Sequence, residues 1–347
     1  MKQKGMKKFV LLTLLALLPV AAYVALYLVM DPFRIVHRYH GVAVLPGDSL
    51  ERIPNKRYVS IEGFKIYHPR EHFDSFIFGS SISSNFLASE WKKFLPDSAR
   101  VYHFTEGAQT LTGIRDELKY LIDHGVKVRH AMLIMEEEMF RRPKRYEEMP
   151  FMPHPDVSPE MNWLHFHRVH FNAFRDPDML LYNVYPTESV TRRLLADTKM
   201  TTVPCERDEV INEDYSTALD TLILKHTRDY YSQMPWLVNM QPKPDPMPLS
   251  IDDDAAAVLR DIARLLNDNG VEYVVIVPPR FRSQGLSDID RAVLNDIFGA
   301  DHVNDFSWDS ELIGDLESYY DGTHILTHRC SELIDRCYQK PPLQYLP

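Results

Sequence analysis

The sequence predicts an α/β fold: a doubly wound, mostly parallel sheet flanked by helices. Three observations predict it. Short apolar runs end abruptly at turn residues, as where Phe76-Ile77-Phe78 meets Gly79-Ser80-Ser81 and Tyr273–Val277 meets Pro278-Pro279. Longer stretches between them carry apolar residues at helical spacing, as in Leu111, Ile114, Leu118 and Leu121. The two kinds of segment alternate. A continuous apolar run marks a strand buried on both faces, and alternation with helices covers those faces in a parallel sheet.

The chain opens with a basic tail, Lys2, Lys4, Lys7 and Lys8, followed by 22 residues without a charge from Phe9 to Met30. At 1.5 Å per residue that run is about 33 Å long, enough to cross a bilayer. It exceeds the core of a cleavable signal, and the small pair Ala21-Ala22 sits in mid-run, so an uncleaved signal anchor is favoured over a cleaved signal. The lysines place the N-terminus in the cytoplasm and the rest of a single-pass protein outside. The sequence therefore divides into a tail and anchor over 1–30, a connector over 31–70, and a main domain over 71–347. Within the connector, Asp31-Pro32-Phe33 ends the span, and the loose alternation from Arg57 to Tyr67 predicts a small edge hairpin.

In the main domain, strands are expected at Ser75–Phe78, Ala99–Phe104 and Val128–Met135, with a helix from Thr110 to His124 stopped by Gly125. Residues 140–250 break the pattern with prolines, aromatics and histidines. They form an expected insertion over the strand ends, with short helices at Asn172–Tyr182 and Thr187–Asp197. Such an insertion shapes a substrate groove or serves as a cap or dimer contact. The core pattern then resumes. Ser250 would cap a helix to Asn269, a fourth strand runs over Tyr273–Val277, a helix over Leu286–Phe298, a short strand over His302–Phe306, and Thr327 would cap a last helix to Tyr338. No internal repeat is visible.

Composition removes several functional classes. The 347 residues carry a formal charge of −10, and no basic stripe with interleaved aromatics is present, so nucleic acid is not an expected partner. Only 13 glycines occur and neither common phosphate-loop pattern is found, so no cofactor is expected. Cys330 and Cys337, seven apart, lie beyond bridging reach on one helix and share its apolar stripe with Leu333 and Ile334. An oxidising compartment would still allow Cys205 to bridge to either. His165, His167 and His170 are close in sequence, but no carboxylate or cysteine stands at a familiar spacing, so no metal site is expected.

Two stretches carry chemistry. Gly79-Ser80-Ser81 presents hydroxyls at the carboxyl end of a strand, where open α/β sheets place their ligands. About 240 residues later, Asp321-Gly322-Thr323-His324 puts an Asp and a His three apart on one loop. A histidine can take a serine's proton while an aspartate fixes the imidazole tautomer. Together the stretches resemble the SGNH (GDSL-like) hydrolase superfamily, in particular its membrane-anchored cell-envelope branch. That branch includes alginate O-acetylation proteins and the D-alanyl-transfer protein of teichoic acids.

The resemblance implies Ser81 as nucleophile, His324 as base and Asp321 as its orienting partner, with the Ser81 and Gly107 N–H groups forming an oxyanion hole. The alternative nucleophile, Ser80, is one residue away, and sequence alone leaves the choice open. The family's asparagine after the third strand is replaced by Glu136-Glu137-Glu138, with Glu137 the closest positional match and either neighbour left open by the strand register. An ionised carboxylate cannot donate to an oxyanion. The implied activity is O-acyl transfer, acetyl foremost, to an exported or cell-envelope polysaccharide. The implied partners are that glycopolymer, a membrane-bound O-acyltransferase, and the membrane itself through the N-terminal helix. An esterase that removes acyl groups and a non-catalytic glycan-binding partner are the alternatives.

Overall fold

A computed structural model describes residues 2–37, 55–144, 149, 151–177, 206–215, 217–242 and 250–339. Five strands form one parallel sheet: β1 (Ser75–Gly79), β2 (Val101–Thr105), β3 (His130–Ile134), β6 (Glu272–Val277) and β7 (Val303–Asp305), in the order β2-β1-β3-β6-β7. A separate antiparallel pair, β4 (Glu206–Asp208) and β5 (Glu213–Tyr215), lies outside it. The principal helices are α1 (Lys2–Met30), α2 (Lys56–Glu71), α3 (Leu111–Asp123), α4 (Trp163–Phe174), α5 (Asp253–Asp268), α6 (Asp288–Phe298) and α7 (Thr327–Tyr338).

Every residue of β1, β2 and β3 is buried, as a strand with two covered faces requires. Alternate residues of each strand enter different cores. Phe76, Phe78, Leu133 and Val275 meet α2, α3, α5 and α6 through Phe64, Leu118, Ile262 and Leu294. Ile77, Met132 and Ile276 point the other way, toward Trp91 and the Leu333 and Ile334 side chains of α7. Helices thus lie on both faces of a parallel sheet.

Several boundaries differ from expectation for local reasons. Arg57–Tyr67 is not an edge hairpin; it belongs to α2. Asn55 caps that helix, its side chain accepting the Tyr58 N–H, and Tyr58, Ile61 and Phe64 recur on its buried side. Such a cap stabilises a helix by about 1 kcal/mol. Asp252, not Ser250, caps α5, accepting from Ala255 N at 2.8 Å. The Ser250 amide instead donates to Asp290. Leu326, not Thr327, occupies the N-cap of α7, with no side-chain capping bond.

The 140–250 segment does not fold as one cap over the strand ends; its described parts go to three places. Residues 151–174 pack against α1 and α2. The β4–β5 hairpin lies along the outer edge of β2, where His103 N donates to Ile211 O and Asn212 Nδ2 to His103 O. That contact blunts an edge that would otherwise offer unpaired backbone. Residues 217–242 pack on the loop that carries His324. The helix expected from Asn172 in fact begins at Trp163 and ends at Phe174. The remainder of that stretch, the helix expected at Thr187–Asp197, and Cys205 lie outside the described residues. Cys330 is buried and Cys337 half-buried.

α1 is long and apolar enough to cross a membrane over Gly5–Met30, and its side chains from Phe9 through Leu18 are largely exposed. Pro19 lies inside it, as membrane-spanning helices tolerate.

Candidate active site

The sheet order creates a switch point. The chain leaves β1 to build β2 on one side, then crosses back to build β3 on the other. In such sheets the crevice at the carboxyl ends of the two diverging strands is the usual ligand site. Ser80 and Ser81 follow β1, and Glu136 to Glu138 follow β3, so the two candidate stretches flank that crevice.

Gly79 makes the serine turn possible. A Cβ there would come within 2.5 Å of Ser83 Cβ and 3.1 Å of Ile134 Cβ, so any other side chain would push the turn off the strand. Ser81 to Asn85 then form a 3-10 turn, closed by Ser83 Oγ donating to Ser80 O at 2.7 Å and Ser84 Oγ to Ser81 O at 2.6 Å. As first residue of that turn, Ser81 has an amide without an acceptor inside it.

From the other end of the chain, the 319–326 loop returns to this turn. Asn85 Nδ2 donates to Ile325 O at 2.8 Å and holds the two together. Ser81 Oγ lies 2.9 Å from His324 Nε2, and His324 Nδ1 lies 2.8 Å from Asp321 Oδ2. The other Asp321 oxygen accepts from Thr323 N at 2.7 Å, Thr323 Oγ1 at 2.9 Å and His324 N at 2.8 Å. Asp321 thus fixes its own loop with one oxygen and the imidazole with the other. Its pKa is held well below the usual carboxylate range. Burial works against this, but the hydrogen bond and charge of His324 and the loop amides outweigh it. The same balance raises His324. Burial opposes the imidazolium, while the Asp321 hydrogen bond and charge, aided by Glu136, favour it more strongly.

Ser80 takes a different partner. Its Oγ donates to Glu136 Oε1 at 2.5 Å and also accepts the Ile82 amide at 3.3 Å, while its side chain is buried. Burial raises the Glu136 pKa; the Ser80 hydrogen bond and the charge of Arg280 offset this only in part. Of the three glutamates that strand register leaves open, Glu136 is the one beside Ser80. Glu137 turns away to Arg141 at 2.5 Å and Arg280 at 3.8 Å, and Glu138 pairs with Arg142 at 3.0 Å. β3 ends at Ile134, so Glu136 caps the short helix Glu137–Arg141, and its side chain alone of the three meets Ser80.

Gly107 follows β2 at the same end of the sheet, where Glu106 N donates to Gly79 O at 3.2 Å. Its turn continues through Ala108, held at φ +49°, and Arg57 Nη2 donates to Ala108 O at 2.7 Å. Arg57 also pairs with buried Glu106 at 3.2 Å, which anchors the turn from below. A Cβ on Gly107 would meet the Phe151 ring at 3.4 Å.

Sequence reasoning missed Arg57, Asn85 and Thr323. Only Thr323 left a signal, since Asp-x-Thr is a ready Asx-turn. It also missed two tyrosines that grip the loop from the 217–242 segment. Tyr230 donates its hydroxyl to Tyr320 O at 2.9 Å, and Tyr231 to Tyr319 O at 2.6 Å.

His165, His167 and His170 do not converge. His170 is buried and bonded to Phe166 O at 2.8 Å, and His167 stacks on Trp163. Among the described residues one other group, Glu62, His154 and Asp156, has the spacing of metal ligands. Lys65 already serves as its cation, at 2.8 Å from Glu62 and 2.5 Å from Asp156. The Glu62 pKa falls to about 2; burial opposes this, but hydrogen bonds from His154 and Lys65 prevail.

No family model matches the chain, and no curated protein does.

Proposed function

We propose that the protein is an SGNH-like enzyme of the cell envelope, anchored by α1, that transfers an O-acyl group, acetyl foremost, to a polysaccharide through an acyl-Ser81 intermediate. The observation that carries this reading is the chain of contacts from Ser81 Oγ through His324 to Asp321 at the β1/β3 crevice. His324 takes the Ser81 proton as the oxygen attacks the acyl carbonyl. Asp321 holds the imidazole and stabilises the imidazolium that forms. The Ser81 and Gly107 amides are the proposed donors to the developing oxyanion. The imidazolium then returns the proton to the departing oxygen. In the second half, a sugar hydroxyl gives its proton to His324 and attacks the acyl-serine, releasing the acylated sugar and free Ser81.

The raised His324 pKa favours the imidazolium that forms when Ser81 attacks and that then returns the proton to the departing oxygen. The lysines before the span support placement of the domain outside the cytoplasm. One observation favours an alternative: Glu136 adds a carboxylate near the site where the resembled family has an amide donor. That supports a protein that binds glycan beside a membrane-bound acyltransferase without turning over.

The deciding experiment is incubation of the full chain with p-nitrophenyl acetate, with and without a panel of envelope oligosaccharides. Acetylated Ser81 in the intact mass and acetylated oligosaccharide in the product support transfer. Acetate alone in both arms indicates an esterase. No reaction, and no labelling of Ser81 by a fluorophosphonate, leaves the binding role.

A further inference from the structure

The last two turns of α1 are joined to the domain through α4. Tyr23 donates its hydroxyl to Phe174 O at 3.0 Å, and the Tyr23 and Tyr27 rings pack on Phe171 and Phe174 with centroids 5.3 to 5.7 Å apart. Beyond the helix end, the Asp31 carboxylate accepts the Ile35, Val36 and His37 amides, which folds the chain back so that Phe33 meets His170. Tyr27, Phe33, Ile35, Tyr58, Phe166 and Phe174 share one buried cluster. The apolar helix and α4 therefore hold a fixed relation.

The depth of this contact follows from length. The uncharged part of α1 spans 22 residues, Phe9–Met30. At 1.5 Å per residue it is about 33 Å long, against a hydrocarbon layer of about 30 Å, so about two residues stand outside that layer. Tyr23 lies seven residues before the helix end, so the contact with α4 falls within about two turns of the outer hydrocarbon boundary. Tyrosines are enriched at that level. The side of α4 away from the domain is a single stripe, Leu164, Arg168, Asn172 and Arg175, all exposed, while Phe166, His170 and Phe174 are buried.

We infer that α4 lies in the lipid headgroup layer beside α1, with Arg168 and Arg175 bound to lipid phosphates and Leu164 toward the acyl boundary. A guanidinium matches a phosphodiester with two parallel hydrogen bonds, and its aliphatic stem tolerates the interface. Two attachments, one through the bilayer and one on it, fix the attitude of the sheet to the membrane where a single helix would leave it free to swivel. Within the histidine-rich run 165–170, Phe166 and His170 are thereby on the buried face of an interfacial helix and Arg168 is on its outer face. This reading does not depend on the chemistry at Ser81.

The test uses the full chain reconstituted in vesicles of phosphatidylcholine and phosphatidylglycerol at 3:1, with a photoreactive phenylalanine analogue placed singly at 164, 168, 172 or 175. Leu15 within α1 serves as the positive control. Glu332, exposed on α7 across the sheet, serves as the negative control. Lipid adducts at the α4 positions at least tenfold above the Glu332 level are expected. With the probe at 172, the double change R168Q/R175Q is expected to lower the yield several-fold, and Lys92→Gln to leave it unchanged. Adducts at Leu15 with none on α4 above the Glu332 level overturn the inference. So do adducts from α4 to a second copy of the chain in place of lipid.

Discussion

Ser80 and Ser81 are neighbours with the same side chain, and the two ends of the crevice treat them differently. Ser81 is half-buried and reaches an imidazole whose second nitrogen is held by a carboxylate. Ser80 is 2% exposed, and its hydroxyl is used twice, on Glu136 and on the Ile82 amide. Activation needs a base that can accept the proton and an accessible oxygen that can then attack. Only the β1-to-α7 side of the crevice supplies both. On the β3 side, Ser80 anchors a carboxylate and closes the turn. A one-residue step along a 3-10 turn thus separates the proposed nucleophile from a structural serine, because successive side chains leave the turn in different directions.

The most severe break of this contrast is Ser81→Ala. It should abolish fluorophosphonate labelling, whereas Ser80→Ala should retain it; intact mass after labelling reads both. The reverse pattern would move the nucleophile to Ser80 and make Glu136 its base. Next in size is Asp321→Asn, which removes the partner that fixes the His324 tautomer. The labelling rate should fall about 10³- to 10⁴-fold with Ser81 still in place.

A smaller change sharpens the contrast through pH. His324 accepts a proton only when neutral, so the labelling rate should rise with pH through its raised pKa. Glu136 is one of the charges that raise it. Glu136→Gln should therefore shift the rising limb to lower pH, while Glu137→Gln, whose carboxylate is taken up by Arg141, should leave the limb in place. A limb unmoved by Glu136→Gln would mean that the Ser80–Glu136 contact is electrically silent at His324.

Stability offers a further test. Gly79→Ala places a methyl group into Ser83 and Ile134, and overpacking of this kind costs about 1 to 3 kcal/mol. A lower denaturant midpoint with unchanged slope is expected. Labelling should fall as well, because Ser81 rides on the displaced turn.

What the sequence made legible follows the same division. The strand β1, the helices α3 and α7, and the Asp321–His324 spacing were readable because each is local: an apolar run, a 3.6-residue period, or an i, i+3 spacing; the pairing of that loop with Gly79-Ser80-Ser81, about 240 residues away, came only from the family resemblance. The misreadings came where tertiary context outweighs local pattern. Arg57–Tyr67 alternates loosely, yet its cap at Asn55 and the burial of Ile61 and Phe64 make it helical. Sequence leaves Glu136, Glu137 and Glu138 open after the third strand because a strand's last residue cannot be counted from sequence; β3 stops at Ile134. Arg57 gave no signal at all, since its partners Glu106 and Ala108 are about 50 residues away.

The smallest expected effect lies in the clamp on the histidine loop. Tyr231 is buried, and its hydroxyl donates to Tyr319 O at 2.6 Å; Tyr230 does the same for Tyr320 O at 2.9 Å. Tyr231→Phe keeps the ring and removes one hydrogen bond, a loss of about 0.5 to 1.5 kcal/mol. If the loss falls on the folded state as a whole, the denaturant midpoint drops and labelling of Ser81 stays within about threefold, since a tenfold change needs about 1.4 kcal/mol specifically at the reacting geometry. That outcome is expected, because His324 remains held from three other directions. Asp321 grips its ring, Tyr320 N donates to its carbonyl at 2.8 Å, and Asn85 holds the next residue through Ile325 O. A rate loss larger than the stability loss would instead show that the 217–242 segment tunes the loop directly. The β1-to-α7 side of the crevice would then depend on the insertion as much as on the sheet.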